Sequence, residues 1–85
     1  MTEAEAILRL LQERRPGASI CPSEAARRVA AAAGESEWRP RMAPVRAAAA
    51  ALAASGRIAV TQRGRPVAIA TARGPVRLSL AGKAG

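Results

Sequence analysis

The chain of 85 residues has the length of one domain, and its composition excludes several kinds of chemistry. About half of the residues are apolar, but 23 of these 42 are alanine, which leaves 19 larger apolar side chains for a core. Histidine, aspartate, tyrosine and phenylalanine are all absent. This absence excludes histidine-based acid–base catalysis, histidine metal sites and Phe or Tyr stacking platforms. We therefore expect that the protein is not an enzyme and that it binds no metal, cofactor or small-molecule substrate.

The first helix is predicted over residues 2–15, where Thr2 and Glu5 form a capping box. Ile7, Leu8 and Leu11 share one face of this helix. Pro16-Gly17 ends it, and Ser19-Ile20 forms a short extended link.

The second helix is predicted over residues 22–33, with Pro22 in its first turn and Gly34 after its end. Glu24 stands where its carboxylate can reach back to an unpaired backbone amide. Cys21 precedes this helix. It is the lone cysteine and cannot form an internal disulfide, and we interpret it as a structural residue rather than a reactive thiolate.

The third helix is predicted over residues 41–54 and carries the clearest apolar stripe of the sequence. Pro40 and Pro44 favour a break before Arg41, and Gly56 closes the helix. The stripe consists of Trp38, Met42, Val45, Ala49 and Leu52.

Beyond Gly56 the apolar pattern changes to alternation, which is typical of strands. Strands are predicted around residues 57–62 and 75–80, with an apolar pair, Val67 and Ile69, between them. Arg63-Gly64-Arg65-Pro66 and Arg73-Gly74-Pro75 are predicted turns. Three helices followed by a β-hairpin wing indicate an α+β winged helix, a single domain over 1–85 with an ordered part of about 2–80 and a flexible tail at 81–85. The expected core is Ile7, Leu8, Leu11, Val29, Trp38, Met42, Val45, Leu52, Ile58, Val60, Leu78 and Leu80.

Two stretches of sequence resemble a small bacterial domain family of unknown function with a winged-helix-like fold. The residues that carry the resemblance are Ile20-Cys21-Pro22-Ser23-Glu24-Ala25-Ala26-Arg27 and Gly74-Pro75-Val76-Arg77-Leu78, together with Trp38-Arg39, Met42 and Val45-Arg46. The similarity spans about residues 4 to 80. It implies the fold and brings no activity or ligand.

Charge is divided unequally along the chain. Residues 1–37 hold five arginines and six glutamates, a net charge of −1, whereas residues 38–85 hold eight arginines, one lysine and no acid, a net charge of +9. Such a basic half is typical of proteins that bind a polyanion. GC-rich codon usage, however, produces the same arginine-rich composition. Helical spacing predicts the ion pairs Glu5–Arg9, Glu24–Arg28, Glu35–Arg39 and Glu37–Arg41.

The nucleic-acid-binding residues are predicted on the basic wing and on the flanks of the third helix. The outer face of that helix has no side chain suited to reading base edges, so we expect weakly specific binding through phosphates or the minor groove. The predicted contacts are Arg39, Arg46, Arg57, Arg63, Arg65, Arg73 and Arg77.

An alternative function is protein–protein interaction or homodimerisation, with no role in nucleic-acid binding. The outer face of the third helix is an apolar surface of the kind found at interfaces, formed by Pro40, Ala43, Pro44, Ala47 and Ala51.

We expect a cytoplasmic protein without a membrane partner. The chain begins with an acidic segment rather than the basic and apolar segments of a secretory signal. Its longest uncharged alanine-rich run, Ala47 to Ser55, is far shorter than a membrane span.

Overall fold

The computed structural model describes residues 1–81, and its first helix, α1, begins at the predicted cap. Helix α1 spans Glu3–Glu13. The backbone N–H of Thr2 donates to the Glu5 carboxylate at 2.8 Å, and the N–H of Glu5 donates to the Thr2 hydroxyl at 3.1 Å. The capping box therefore satisfies two amides that a helix start would otherwise leave without partners.

The other two helices also follow the predicted bounds closely. Helix α2 spans Pro22–Ala32, and Gly34 follows it in the left-handed region at φ 72°. A 3₁₀ turn, Arg39–Arg41, contains Pro40 and leads directly into helix α3, Met42–Ala54. Pro44 lies in the first turn of α3, where a missing N–H breaks no helical hydrogen bond.

Four short strands form one antiparallel sheet in the order β1-β4-β2-β3. They span Ser19–Ile20 (β1), Ile58–Gln62 (β2), Arg65–Pro66 (β3) and Arg77–Leu80 (β4). Leu78 pairs with Ile20 on one side and with Val60 on the other, so the strand between the first two helices joins the C-terminal strands. The predicted mixed α+β architecture is confirmed: three helices and one antiparallel sheet are consistent with a winged-helix-like fold. The segment from 63 to 76, between β2 and β4, is called the wing below.

Most of the predicted core is buried between the helices and the inner face of the sheet. Three of its members, Leu8, Trp38 and Met42, are only half-buried at the edge of the core. Leu80 was predicted wrongly: it occupies the last position of β4, where coverage by the helices ends, and it is 44% exposed. Four large buried residues were not predicted: Leu10, Ile20, Ile69 and Val76.

The salt bridges join different elements rather than neighbouring helical turns. Arg28 pairs with Glu13, and Arg14 pairs with Glu24, so both tie α2 to α1. Arg41 contacts both Glu3 and Glu35. None of the four predicted i,i+4 pairs is among the salt bridges of residues 1–81: Glu24 and Glu35 pair with Arg14 and Arg41 instead, and Glu5 is bonded to Thr2 in the capping box.

Beyond β4 the structure describes one further residue, Ala81. A flexible tail is predicted over 81–85; its first residue, Ala81, donates its N–H to the carbonyl of Arg57 at 3.1 Å, and residues 82–85 lie outside the described residues. Among the helices of residues 1–81, none is long and apolar enough to cross a membrane.

Candidate nucleic-acid interface

The wing begins with a two-residue hairpin turn that places two arginines at its tip. Gln62 pairs with Arg65 across the turn, and Arg63 and Gly64 have φ angles of 52° and 79°. Two consecutive positive φ angles match the twist of a tight hairpin. Glycine adopts this conformation without strain, whereas arginine rarely does. The predicted turn is thus confirmed at Arg63-Gly64, while Arg65-Pro66 forms strand β3 instead.

The remainder of the wing folds back over β2 and is held there by Gln62. The Gln62 side-chain amide donates to the carbonyl of Arg73 and, at 3.1 Å, to the carbonyl of Pro75. Ile69 and Val76 are buried and anchor this limb in the core. Because both ends of the limb are fixed, Arg73 lies opposite the hairpin tip although it is ten residues further along the chain than Arg63.

Three arginines therefore share one open concavity, which we call the arginine concavity. Arg63, Arg65 and Arg73 are all exposed. No carboxylate lines the concavity, and none of the three arginines forms a salt bridge within residues 1–81. The complete lining is Gln62, Arg63, Arg65, Val67, Arg73, Gly74 and Pro75.

Two other predicted contacts hold parts of the fold together. Arg46 is half-buried, and its Nη2 donates to the carbonyls of Ile69 and Ala72 at 3.2 and 3.1 Å, which ties the wing to the middle of α3. Arg77 donates through Nε and Nη2 to the hydroxyl and carbonyl oxygens of Ser19, both at 2.9 Å, and so links β4 to β1. The polar donors of these two arginines are partly occupied by the protein itself.

Arg39 and Arg57 lie outside the arginine concavity. The Cζ atom of Arg39 is 4.7 Å from the ring centroid of Trp38, and Arg27 from α2 approaches the same ring to 4.5 Å. These distances are those of cation–π contacts. Arg57 is exposed immediately before β2. Arg27 is not among the predicted nucleic-acid contacts, and no signal in the local sequence connects it to Trp38.

The predicted protein interface is fully exposed. Pro40, on the 3₁₀ turn, and Ala43, Pro44, Ala47 and Ala51, on α3, are all exposed. Pro40 and Pro44 also border a shallow depression with Gly34, Glu35, Ser36, Glu37 and Arg41.

The residues around Cys21 serve the start of α2. The Glu24 carboxylate accepts the N–H of Cys21 at 2.9 Å, as predicted, and the Ser23 hydroxyl donates to the Cys21 sulfur at 3.1 Å. Within residues 1–81 there is no cluster of three or more potential metal ligands.

The glutamates whose pKa values are lowered lie in α1 and in the loop between α2 and the 3₁₀ turn. A hydrogen bond from Arg28 lowers the pKa of Glu13, and one from Arg41 lowers the pKa of Glu35. The N–H of Thr2 likewise lowers the pKa of Glu5. These carboxylates are thus held in the charged form by local partners and are not directed at the wing.

A family model described as "Protein of unknown function (DUF3253)" matches residues 2–81, nearly the whole chain. No match was found among curated proteins.

Proposed function

We propose that this chain, which belongs to the DUF3253 family of proteins of unknown function, is a nucleic-acid-binding domain that holds the phosphate backbone with its wing. The observation that carries the proposal is the convergence of Arg63, Arg65 and Arg73 on one exposed concavity without a carboxylate. The function is binding alone, and we assign no catalytic step to any residue.

Arginine side chains in this arrangement suit phosphate chemically. A guanidinium donates two parallel hydrogen bonds to phosphate oxygens, and its charge is fixed at every physiological pH. A fixed group of three such side chains favours a polyanion over a single small anion, because each can contact a separate phosphate.

The same surface predicts weak sequence specificity. Phosphate contacts position a protein on nucleic acid but carry no direct sequence information. The exposed face of α3 consists of alanine and proline (Pro40 precedes it in the 3₁₀ turn), and neither residue reads the hydrogen-bonding edges of bases.

The test is the salt dependence of binding to a labelled duplex after replacing Arg63, Arg65 and Arg73 together by alanine. Each phosphate contact contributes about −0.9 to the slope of log K against log salt, so the slope should flatten by about two to three. The triple arginine-to-lysine variant is the matched control: it keeps the charge and should keep most of the slope. Circular dichroism should show both variants folded, since all three side chains are exposed.

The competing function is self-association or protein binding through the exposed face of Ala43, Pro44, Ala47 and Ala51. It predicts a wild type that shows no salt-sensitive binding to any nucleic acid. It also predicts a concentration-dependent dimer, seen in sedimentation equilibrium, that Ala47→Glu or Ala51→Glu dissociates. That pair of results would replace the nucleic-acid proposal.

A further inference from the structure

A second group of arginines, separate from those of the wing, contacts the side chain of Trp38. Trp38 is the only aromatic residue of the chain and is half-buried at the edge of the core. Arg27 from α2 and Arg39 from the 3₁₀ turn both lie over its ring, with Cζ atoms 4.5 and 4.7 Å from the centroid. We call these three residues the Trp38 stack. Two exposed guanidinium groups thus contact the same indole ring.

The hydrogen-bond donors of this pair remain available. Stacking uses the flat face of a guanidinium, whereas its N–H groups point outward in the plane. Neither arginine forms a salt bridge with any of the residues that the structure describes. Glu24 and Glu35, three and four residues from Arg27 and Arg39, are bonded to Arg14 and Arg41, whereas Glu37, two residues before Arg39, is exposed and forms no salt bridge within residues 1–81.

Arg39 of the Trp38 stack is close in sequence to Arg46, the α3 residue that is bonded to the wing. Arg39 precedes Arg46 by seven residues, through the 3₁₀ turn into α3, which is about 10 Å along the helix axis. Arg46 in turn donates to two carbonyls of the wing. A duplex longer than the 41 Å long axis of the molecule has the length to reach both the arginine concavity and the Trp38 stack.

We propose that the Trp38 stack is a second phosphate-binding surface, which contacts the backbone of the nucleic acid held at the wing. This inference rests on the proposed function and adds Arg27 and Trp38 to the interface. The ligand is a phosphodiester chain long enough to span both surfaces. A duplex of about 16 base pairs, at 3.4 Å per step, exceeds the 41 Å long axis of the molecule and serves as the probe.

The experiment combines two readouts on the full chain. Anisotropy of the labelled duplex gives affinity as a function of salt, and the emission of Trp38 reports on the stack directly because no other tryptophan contributes. Saturating duplex should change the Trp38 emission of the wild type. Arg27→Ala with Arg39→Ala should flatten the salt slope by about two, whereas Arg27→Lys with Arg39→Lys should keep it.

A matched control removes the same charge elsewhere. Arg9 and Arg15 are exposed and form no salt bridge within residues 1–81, and Arg9→Ala with Arg15→Ala should leave the slope unchanged. Thermal melts by circular dichroism establish that each variant is folded at the assay temperature. If the alanine pair at the stack fails to fold, the wild-type emission change and the lysine pair still decide the question.

The outcomes separate the two proposals. In one outcome, binding depends on the wing arginines, but the Trp38 emission is unchanged and the stack variant has the same salt slope as the Arg9/Arg15 control. This outcome would overturn the second surface and keep the wing as the binding site. A slope lowered by the stack variant but unaffected by the wing triple variant would uphold the second surface and remove the wing assignment. Absence of any binding by the wild type would refute both.

Discussion

Replacing Arg46 by alanine should release the wing from helix α3 without unfolding the domain. Its Nη2 is the donor of both hydrogen bonds that reach the wing carbonyls of Ile69 and Ala72. A hydrogen bond from a charged group contributes about 1.5–3 kcal/mol. Because one nitrogen serves both acceptors, we count this contribution once. An opening equilibrium of the wing should therefore rise by about 10- to 140-fold, at tenfold per 1.4 kcal/mol.

Amide hydrogen exchange measures this opening residue by residue. The N–H of Val67 donates to Val60, and those of Thr71 and Ala72 donate to Ala68, so these amides report the wing. They should exchange faster by the factor above in Arg46→Ala, while amides that pair β2 with β4 should keep their protection. Arg46→Lys retains a donor on a flexible stem, so its wing amides should exchange at rates between those of the wild type and those of Arg46→Ala. Unchanged wing exchange, or equal acceleration in every element, would show that Arg46 does not anchor the wing.

The remaining predictions concern stability. Leu52→Ala removes a side chain that is 7% exposed and should lower the free energy of unfolding by about 2–5 kcal/mol. Leu80→Ala, at a position that is 44% exposed, should lower it by less than about 1 kcal/mol. Urea titrations measure both values, and a larger loss for Leu80→Ala than for Leu52→Ala would contradict the assigned core. Hydrogen bonds from Arg28 and Arg41 lower the pKa values of Glu13 and Glu35, so their stabilising contribution is complete above the ordinary glutamate pKa and is lost as the pH falls through the lowered values. The raised pKa values of Arg28 and Arg41 matter only in strong alkali. Melting temperature should therefore fall from about pH 5 downward, and less so in Glu13→Gln; the same acid sensitivity in that variant would count against the argument.

Elements that depend on local signals were predictable from the sequence. The Thr2–Glu5 capping box fixes where α1 begins, and glycines after α2 and α3 fix where these helices end. Alternation after Gly56 correctly predicted β2 and β4. Strand β1 was not predicted, because two residues, Ser19 and Ile20, carry no periodicity and form a strand only by pairing with β4.

The predictions that were wrong depended on tertiary contacts. Helical spacing places Glu24 beside Arg28, but packing of α1 against α2 brings Arg14 to Glu24 and Glu13 to Arg28 instead. Leu80 continues the alternation of Leu78, and only the position of the helices over the sheet decides that one is buried and the other exposed.

The candidate site shows the same division. A run of arginines around turn glycines predicted an exposed basic wing, since neither residue type belongs in a core. The hydrogen bonds from the Gln62 side chain to the carbonyls of Arg73 and Pro75 close the arginine concavity. They join residues that are more than ten positions apart in the sequence. The contact of Arg27 with Trp38 crosses from α2 to the 3₁₀ turn. Neither contact has a signature in local sequence.

The arrangement of charge favours binding over solubility as the role of the wing arginines. Solubility requires only dispersed charge, and like charges that serve it are best kept apart because they repel one another. Here the wing limb folds back so that Arg73 joins Arg63 and Arg65 around one concavity. Glu3, Glu13, Glu24 and Glu35 are bonded to arginines elsewhere. Repulsion within such a group is relieved when a polyanion occupies it, and this is the physical reason for placing the phosphate backbone at the wing.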